Sequence, residues 1–182
     1  MSNEQIPIIT VTMSTGLQGR GVVQELSKRG KYKIRALTRN PSSKNAQQLA
    51  ALPNVELIEA ELLDYESLKK SFKDSYGIFA NTTPTKGLQP LVREHEIEQG
   101  KNLINAIRDI KEEGLLKHIV FSSICKAKNP LKNDPAPGHF SSKWDIETYL
   151  EVNGLSKLTT IIRPASYFEN FDGDLPGLKI TE

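Results

Sequence analysis

The sequence predicts an α/β fold with a doubly wound parallel sheet, and three observations carry that expectation. Short β-branched apolar runs alternate with longer amphipathic stretches along the chain, the pattern of βαβ units. The first run, Ile8-Ile9-Thr10-Val11-Thr12, meets a small-residue turn and opens directly into helical spacing. Right-handed crossovers between parallel strands then place helices on both sheet faces and any ligand at the carboxyl ends of the strands. A flavodoxin-like arrangement shares the alternation, but the glycine turn after the first strand argues against it.

The elements follow in order. Residues 8–12 read as the first strand. Residues 16–29 read as a helix with Leu17, Val22, Val23 and Leu26 on one side, closed by Gly30 as a C-cap. Residues 32–38 are a second strand, stopped by Asn40-Pro41-Ser42-Ser43. A short helix over 45–52 precedes a third strand over 55–59, and another helix runs through Phe72. Residues 76–80 form a fourth strand ending at Asn81-Thr82-Thr83-Pro84. A long helix over 95–111 keeps Ile97, Leu103, Ile104, Ile107 and Ile110 at helical spacing. Residues 118–122 form the fifth strand, 141–152 a helix and 158–163 the sixth strand. The stretch 126–138, rich in Lys, Asn and Pro, reads as a mobile connection beside the strand ends.

Composition bounds the function. A chain of 182 residues, 37% hydrophobic and 25% charged, suits one domain over residues 1–182 with a real core. A net charge of +2, with no basic stripe interleaved with aromatics, gives no nucleic-acid footprint. No apolar run reaches membrane-span length, and the polar N-terminus carries no secretory pattern. Cys125 has no internal partner, which suits a reducing compartment, the cytoplasm or also the nucleus. It reads as an ordinary thiol. His95, His118 and His139 are too scattered for metal-ligand spacing.

The turn Met13-Ser14-Thr15-Gly16-Leu17-Gln18-Gly19 is the leading site candidate. A helix N-terminus has unpaired N–H groups and partial positive charge, which attract a pyrophosphate. Gly16 permits close approach of a phosphate, and Gly19 permits close packing of helix on strand. Met13 stands where a third glycine is expected, so the turn is strained or differently built. A ligand-free structural turn is the alternative.

After the second strand an acid would bind the ribose 2′-hydroxyl of NAD; here Arg39 stands instead, a planar cation suited to the 2′-phosphate of NADP(H). A solvated surface arginine is the alternative. Asn40 and Ser43 lie beside it. Glu61 and Asp64 close the third strand, where a polar group of a dinucleotide fold can contact the adenine amine; Glu61 and Leu62 are the cofactor candidates there, while Asp64 reads rather as the cap of the next helix. Asn81, Thr82 and Thr83 either line a cofactor or form plain turn chemistry. Lys143 lies about 20 residues beyond Ser122-Ser123, either bound to a ribose or facing solvent. Trp144 and Tyr149 read as packing residues.

These residues resemble the NmrA-like family, atypical relatives of the short-chain dehydrogenases. The resemblance rests on Ser14-Thr15-Gly16-Leu17-Gln18-Gly19, Arg35-Ala36-Leu37-Thr38-Arg39-Asn40-Pro41, Glu98-Gln99-Gly100-Lys101, Phe121-Ser122-Ser123, His139-Phe140-Ser141-Ser142-Lys143 and Arg163-Pro164-Ala165-Ser166-Tyr167-Phe168-Glu169-Asn170. It covers the chain from Ile8 to about Phe171 and implies a Rossmann-type domain that binds NADP(H). By this resemblance the glycine turn meets the pyrophosphate, Arg39 the 2′-phosphate and Lys143 the nicotinamide ribose. Tyr167, Phe168, Glu169 and Asn170 line the nicotinamide end.

The tyrosine that donates a proton in short-chain dehydrogenases stands four residues before the lysine. His139 occupies that place, either as a general acid near neutral pH or as a loop histidine with no proton-transfer role. Members lacking the tyrosine look like NADP(H) sensors that regulate a protein partner; others are reductases. The expectation is therefore a redox sensor acting through a protein partner, with homodimerisation open. An NADPH-dependent oxidoreductase of small carbonyls or quinones is the alternative, and a pseudo-domain acting by association alone is a third. Family members run on well beyond the point where this chain ends, so the C-terminal part reads as truncated, without most of the substrate-side lobe.

Overall fold

The computed structural model describes residues 6–83, 90–125, 139–165 and 167, with backbone alone for residues 90–92, 139 and 140. The strands are β1 (Ile8–Val11), β2 (Lys33–Thr38), β3 (Val55–Glu59), β4 (Ser75–Ala80), β5 (His118–Ser122) and β6 (Thr159–Ile162). The helices are α1 (Leu17–Arg29), α2 (Lys44–Ala50), α3 (Tyr65–Phe72), α4 (Pro90–Lys111) and α5 (His139–Val152). A 3-10 turn, Ser156–Leu158, leads into β6.

All the strands pair in parallel, in the order β3-β2-β1-β4-β5-β6. The order reverses direction beside β1, which opens a crevice at the carboxyl ends of β1 and β4. Parallel strands need cover on both faces. Val11, Ala36 and Phe79 turn to one face and meet Val23 of α1 and Leu49 of α2. Leu37, Ile78, Ala80 and Phe121 turn to the other and meet Leu68 of α3, Leu103 and Ile107 of α4, and Ile146 of α5.

Most boundaries fall within one or two residues of the sequence expectation, and two helix starts lie two residues or more ahead of it. Helix α4 begins at Pro90 rather than His95. Proline fits a first helical turn, where its missing N–H is not needed, and the apolar spacing that marks the rest of the helix does not reach back that far. Helix α5 likewise begins two residues earlier than expected, at His139. The expected connection over 126–138 lies outside the described residues. Asp64 caps α3 as expected, its carboxylate accepting from the Ser67 N–H at 3.1 Å. Tyr149 packs against the α3–α5 core and donates its hydroxyl to Asn105 Oδ1 at 2.9 Å.

Candidate functional site at the strand ends

The β1–α1 turn begins with Met13 at φ 50°, a left-handed backbone carried by a side chain with a Cβ. Its carbonyl accepts from the Gly16 N–H at 3.0 Å and closes the turn. The Met13 side chain leaves the turn toward the end of β4, where its sulfur accepts from Thr83 Oγ1 at 3.2 Å. The expected strain is therefore present, and the side chain packs on the α3–α5 side of the sheet. A Cβ on Gly19 would lie 2.8 Å from both the Met13 carbonyl carbon and Ser14 Cα. Only glycine lets α1 start this close to the turn. Ser14 is buried and gives both its N–H and its hydroxyl to the Leu37 carbonyl, tying the turn to β2. Helix α1 has no side-chain cap and no acid in its first turn, so its leading N–H groups are left for another acceptor.

Two cavities flank this turn, and Met13 borders both. The larger, about 790 Å³, is lined by Gly16, Leu17, Gln18 and Gly19 of the turn and helix, Asn81 and Thr82 just past β4, Ser122 and Ser123 at the end of β5, Glu96 and Lys143, with Ile124, Cys125, Pro164, Ala165 and Tyr167 as a largely apolar wall. The smaller, about 150 Å³, is lined by Thr15, Thr38, Arg39, Asn40, Ser43, Glu61, Leu62 and Thr83 among others. The residues singled out in the sequence on either side of the turn therefore converge. Phe168, Glu169 and Asn170 lie outside the described residues, as does the side chain of His139.

Local partners refine several of these roles. Arg39 is mostly exposed, and its Nε lies 3.9 Å from Glu61 Oε2. An exposed pair at that separation holds weakly, so the guanidinium stays available at the mouth of the smaller cavity. Asn40 Oδ1 accepts from the Ser42 N–H at 3.0 Å, and Ser43 Oγ caps α2 through the Ala46 N–H. Both side chains shape their own loop. The Glu61 carboxylate accepts from the Leu62 N–H at 2.7 Å.

The larger cavity holds a polar network that sequence reading found only in part. Lys143 does not face solvent as a first-turn lysine would; it is 8% exposed. Its ammonium donates to Asn81 Oδ1 at 2.8 Å, Thr82 Oγ1 at 2.6 Å and the Ser122 carbonyl at 3.3 Å. Asn81 Nδ2 and Ser122 Oγ in turn donate to Gln18 Oε1, at 3.1 and 2.6 Å, which ties α1 to β4 and β5. Burial pushes the Lys143 ammonium below the ordinary lysine value, and the neighbouring Glu96 carboxylate opposes that shift.

Glu96, Gln99 and Ser142 were not picked out as site residues. Gln99 accepts from the Thr83 N–H at 2.9 Å. Polar residues inside a helix give no signal of which face is buried until the packing is known. Ser123 lines the same cavity, and its Oγ is buried without a hydrogen-bond partner among the described residues. Among the described residues no group of three or more His, Cys, Asp or Glu side chains could hold a metal. No helix there is long and apolar enough to cross a membrane.

Strand order, glycine turn and strand-end cavities together define a Rossmann-type α/β protein. Comparison with known sequences narrows this further: the chain belongs to the NmrA-like family, whose model matches residues 6–181. The NmrA-like family domain-containing oxidoreductase hkm9 of Aspergillus hancockii is 32% identical over 165 residues, covering 90% of this chain and 48% of that protein. The crystal structure of NmrA, described as a negative transcriptional regulator, superposes with a TM-score of 0.75 at 27% identity, covering 92% of this chain and 48% of NmrA. The complex of NmrA with NADP superposes with a TM-score of 0.66 at 26% identity over 86% of this chain and 45% of that one. The chain thus spans about half the length of the relatives it matches.

Proposed function

We propose that this chain binds NADP(H) across the strand ends and reports its occupancy to a protein partner, as a redox sensor. The observation that carries the reading is the pair of cavities that meet at the uncapped start of α1, one bordered by Arg39 and the other by Lys143. The residues present fit the dinucleotide. The uncapped first turn of α1, Leu17 to Gly19, leaves backbone N–H groups open to a pyrophosphate, and Gly16 puts no side chain in the way. Arg39 offers a bidentate fork to the 2′-phosphate. Lys143 would meet the ribose on the nicotinamide side, beside Ser123, whose buried hydroxyl has no hydrogen-bond partner among the described residues. When bound, the cofactor supplies hydride chemistry. The NADP complex of NmrA, a negative transcriptional regulator, supports both the ligand and the regulatory role.

A sensor must bind oxidised and reduced forms in different conformations, because a ligand shifts an equilibrium only by its differential affinity. The second reading is an NADPH-dependent oxidoreductase of a small carbonyl or quinone. It is favoured by the oxidoreductase relative and by the apolar wall of the larger cavity beside Lys143. Against it stands His139 in the place of the proton-donating tyrosine.

Calorimetric titration decides the ligand. NADPH is expected to bind more tightly than NADH, Arg39→Gln to erase that preference and Lys143→Ala to weaken both. Equal affinity for the two cofactors in the unaltered chain overturns the assignment. NADPH consumption across a carbonyl and quinone panel is expected to stay at background; turnover that is lost in Lys143→Ala favours the enzyme.

A further inference from the structure

On the reading that the larger cavity takes the nicotinamide half of the cofactor, we propose that Glu96 is the positioning residue for Lys143: a buried counter-charge that locks the ammonium between the ends of β4, β5 and α5 and turns it toward the ribose.

Glu96 lies on α4 and is 1% exposed. A carboxylate at that depth is costly unless its oxygens are satisfied. Here they are. Oε1 accepts from Thr82 Oγ1 at 2.7 Å and lies 3.5 Å from Lys143 Nζ, and Oε2 accepts from Ser142 Oγ. Thr82 Oγ1 also accepts from Lys143, so lysine, threonine and glutamate form a directed chain. Asn81 Oδ1, Thr82 Oγ1 and the Ser122 carbonyl, which accept from the ammonium among the described residues, are all neutral. They orient it but do not balance its charge.

Other charges near the pair are already committed. On α4, Arg93 pairs with Asp145 and also donates to Ser141, and His95 Nδ1 faces Gln99 Nε2 at 3.1 Å. On α5, Glu147 pairs with Arg163 at 2.5 Å through Oε2, while its Oε1 is buried without a hydrogen-bond partner among the described residues, and the side chain of His139, which begins the helix, lies outside the described residues. The strand ends contribute Asn81, Thr82, Ser122 and Ser123, none of them ionised, while Cys125 and Tyr167 are titratable groups on the cavity wall. Glu96 is thus the carboxylate recorded against Lys143 among the described residues. Without it, burial favours the neutral amine, a weaker donor to ribose hydroxyls.

The test is NADPH affinity against pH, measured on the full chain by calorimetry between pH 7.5 and 10, where the cofactor's 2′-phosphate stays dianionic. The unaltered chain serves as the parent, and Lys143→Met shows whether the lysine is the group that titrates. Circular dichroism checks folding of each variant. The parent is expected to lose affinity at alkaline pH as Lys143 gives up its proton. Glu96→Gln is expected to lose it earlier, by on the order of two pH units. Glu96→Asp, which keeps the charge, follows the parent's midpoint, and Lys143→Met binds weakly with no alkaline break.

An unchanged midpoint in Glu96→Gln overturns the proposal, as does a break that persists in Lys143→Met. Should Glu96→Gln fail to fold, the double variant Glu96→Gln/Lys143→Met decides. Folding restored in the double variant shows that the carboxylate is needed because of the ammonium. A double variant that is also unfolded shows Glu96 to be a packing residue only, which overturns the proposal. A parent that binds no NADPH at any pH fells the cofactor reading and this inference with it; a failure confined to the Glu96 variants fells the inference alone.

Discussion

At the scale of single residues, the site is built where side chains are either missing or fully committed. Gly19 is the missing one. Its replacement by alanine pushes a methyl into the Met13–Ser14 backbone, and rigid backbone cannot step aside as a flexible side chain can. Gly19→Ala is expected to destabilise the fold by roughly 1–3 kcal/mol, read from denaturant unfolding, and to weaken NADPH binding in calorimetry. Lys143 is the committed one. Its folded value lies below the ordinary lysine value of 10.5, so the unfolded chain holds the proton more tightly than the native state. Stability therefore rises as pH climbs from the folded value toward the unfolded one. Urea unfolding between pH 8 and 10.5 is expected to show that rise, and Lys143→Met to flatten it. Cofactor affinity should move the opposite way over the same range, a paired signature that a surface lysine cannot produce.

At the scale of elements, the network depends on how closely α4 and α5 approach. A Cβ on Gly100 of α4 would lie 2.8 Å from Ile146 Cγ2 of α5. Isoleucine is stiff at χ1 and cannot swing clear. The close crossing brings Glu96, one helical turn before Gly100, to the level of Ser142 and Lys143, one turn before Ile146. Gly100→Ala is expected to destabilise the fold by roughly 1–3 kcal/mol and to weaken NADPH binding together with it, measured by thermal unfolding and titration of the same preparation. Wild-type stability in this variant would mean that the helices are not held at this distance. Arg93, paired with Asp145 and donating to Ser141, clasps the same two helices nearer their N-termini.

At the scale of the whole molecule, the doubly wound sheet gathers groups from across the sequence to one edge. Gln18 and Ser122 are 104 residues apart and meet at 2.6 Å. A ligand spanning that edge stabilises every element it touches. At a free concentration of 100 times its dissociation constant it adds about 2.7 kcal/mol, which for a chain of this size raises the thermal midpoint by roughly 5–10 °C. NADPH is expected to give that shift in scanning calorimetry, and NADH a smaller one at equal concentration. No shift with either would set the strand-end assignment aside.

The division between sequence and tertiary structure follows from the range of the forces involved. Alternating apolar runs, the glycine turn, Arg39 after β2 and the Asp64 cap are local patterns, and local patterns are legible because backbone geometry and side-chain period act over a few residues. They were sufficient for the fold class and pointed to the strand ends as the candidate site, while the family was legible through the resemblance of longer segments such as Arg163-Pro164-Ala165-Ser166-Tyr167-Phe168-Glu169-Asn170. The helix starts at Pro90 and His139 escaped because no apolar period marks them. Glu96, Gln99 and Ser142 escaped for a deeper reason. A polar residue within a helix looks solvent-exposed until a second helix covers it, and only the α4–α5 crossing over the ends of β4 and β5 takes Glu96 and Lys143 out of water and makes each the other's counter-charge.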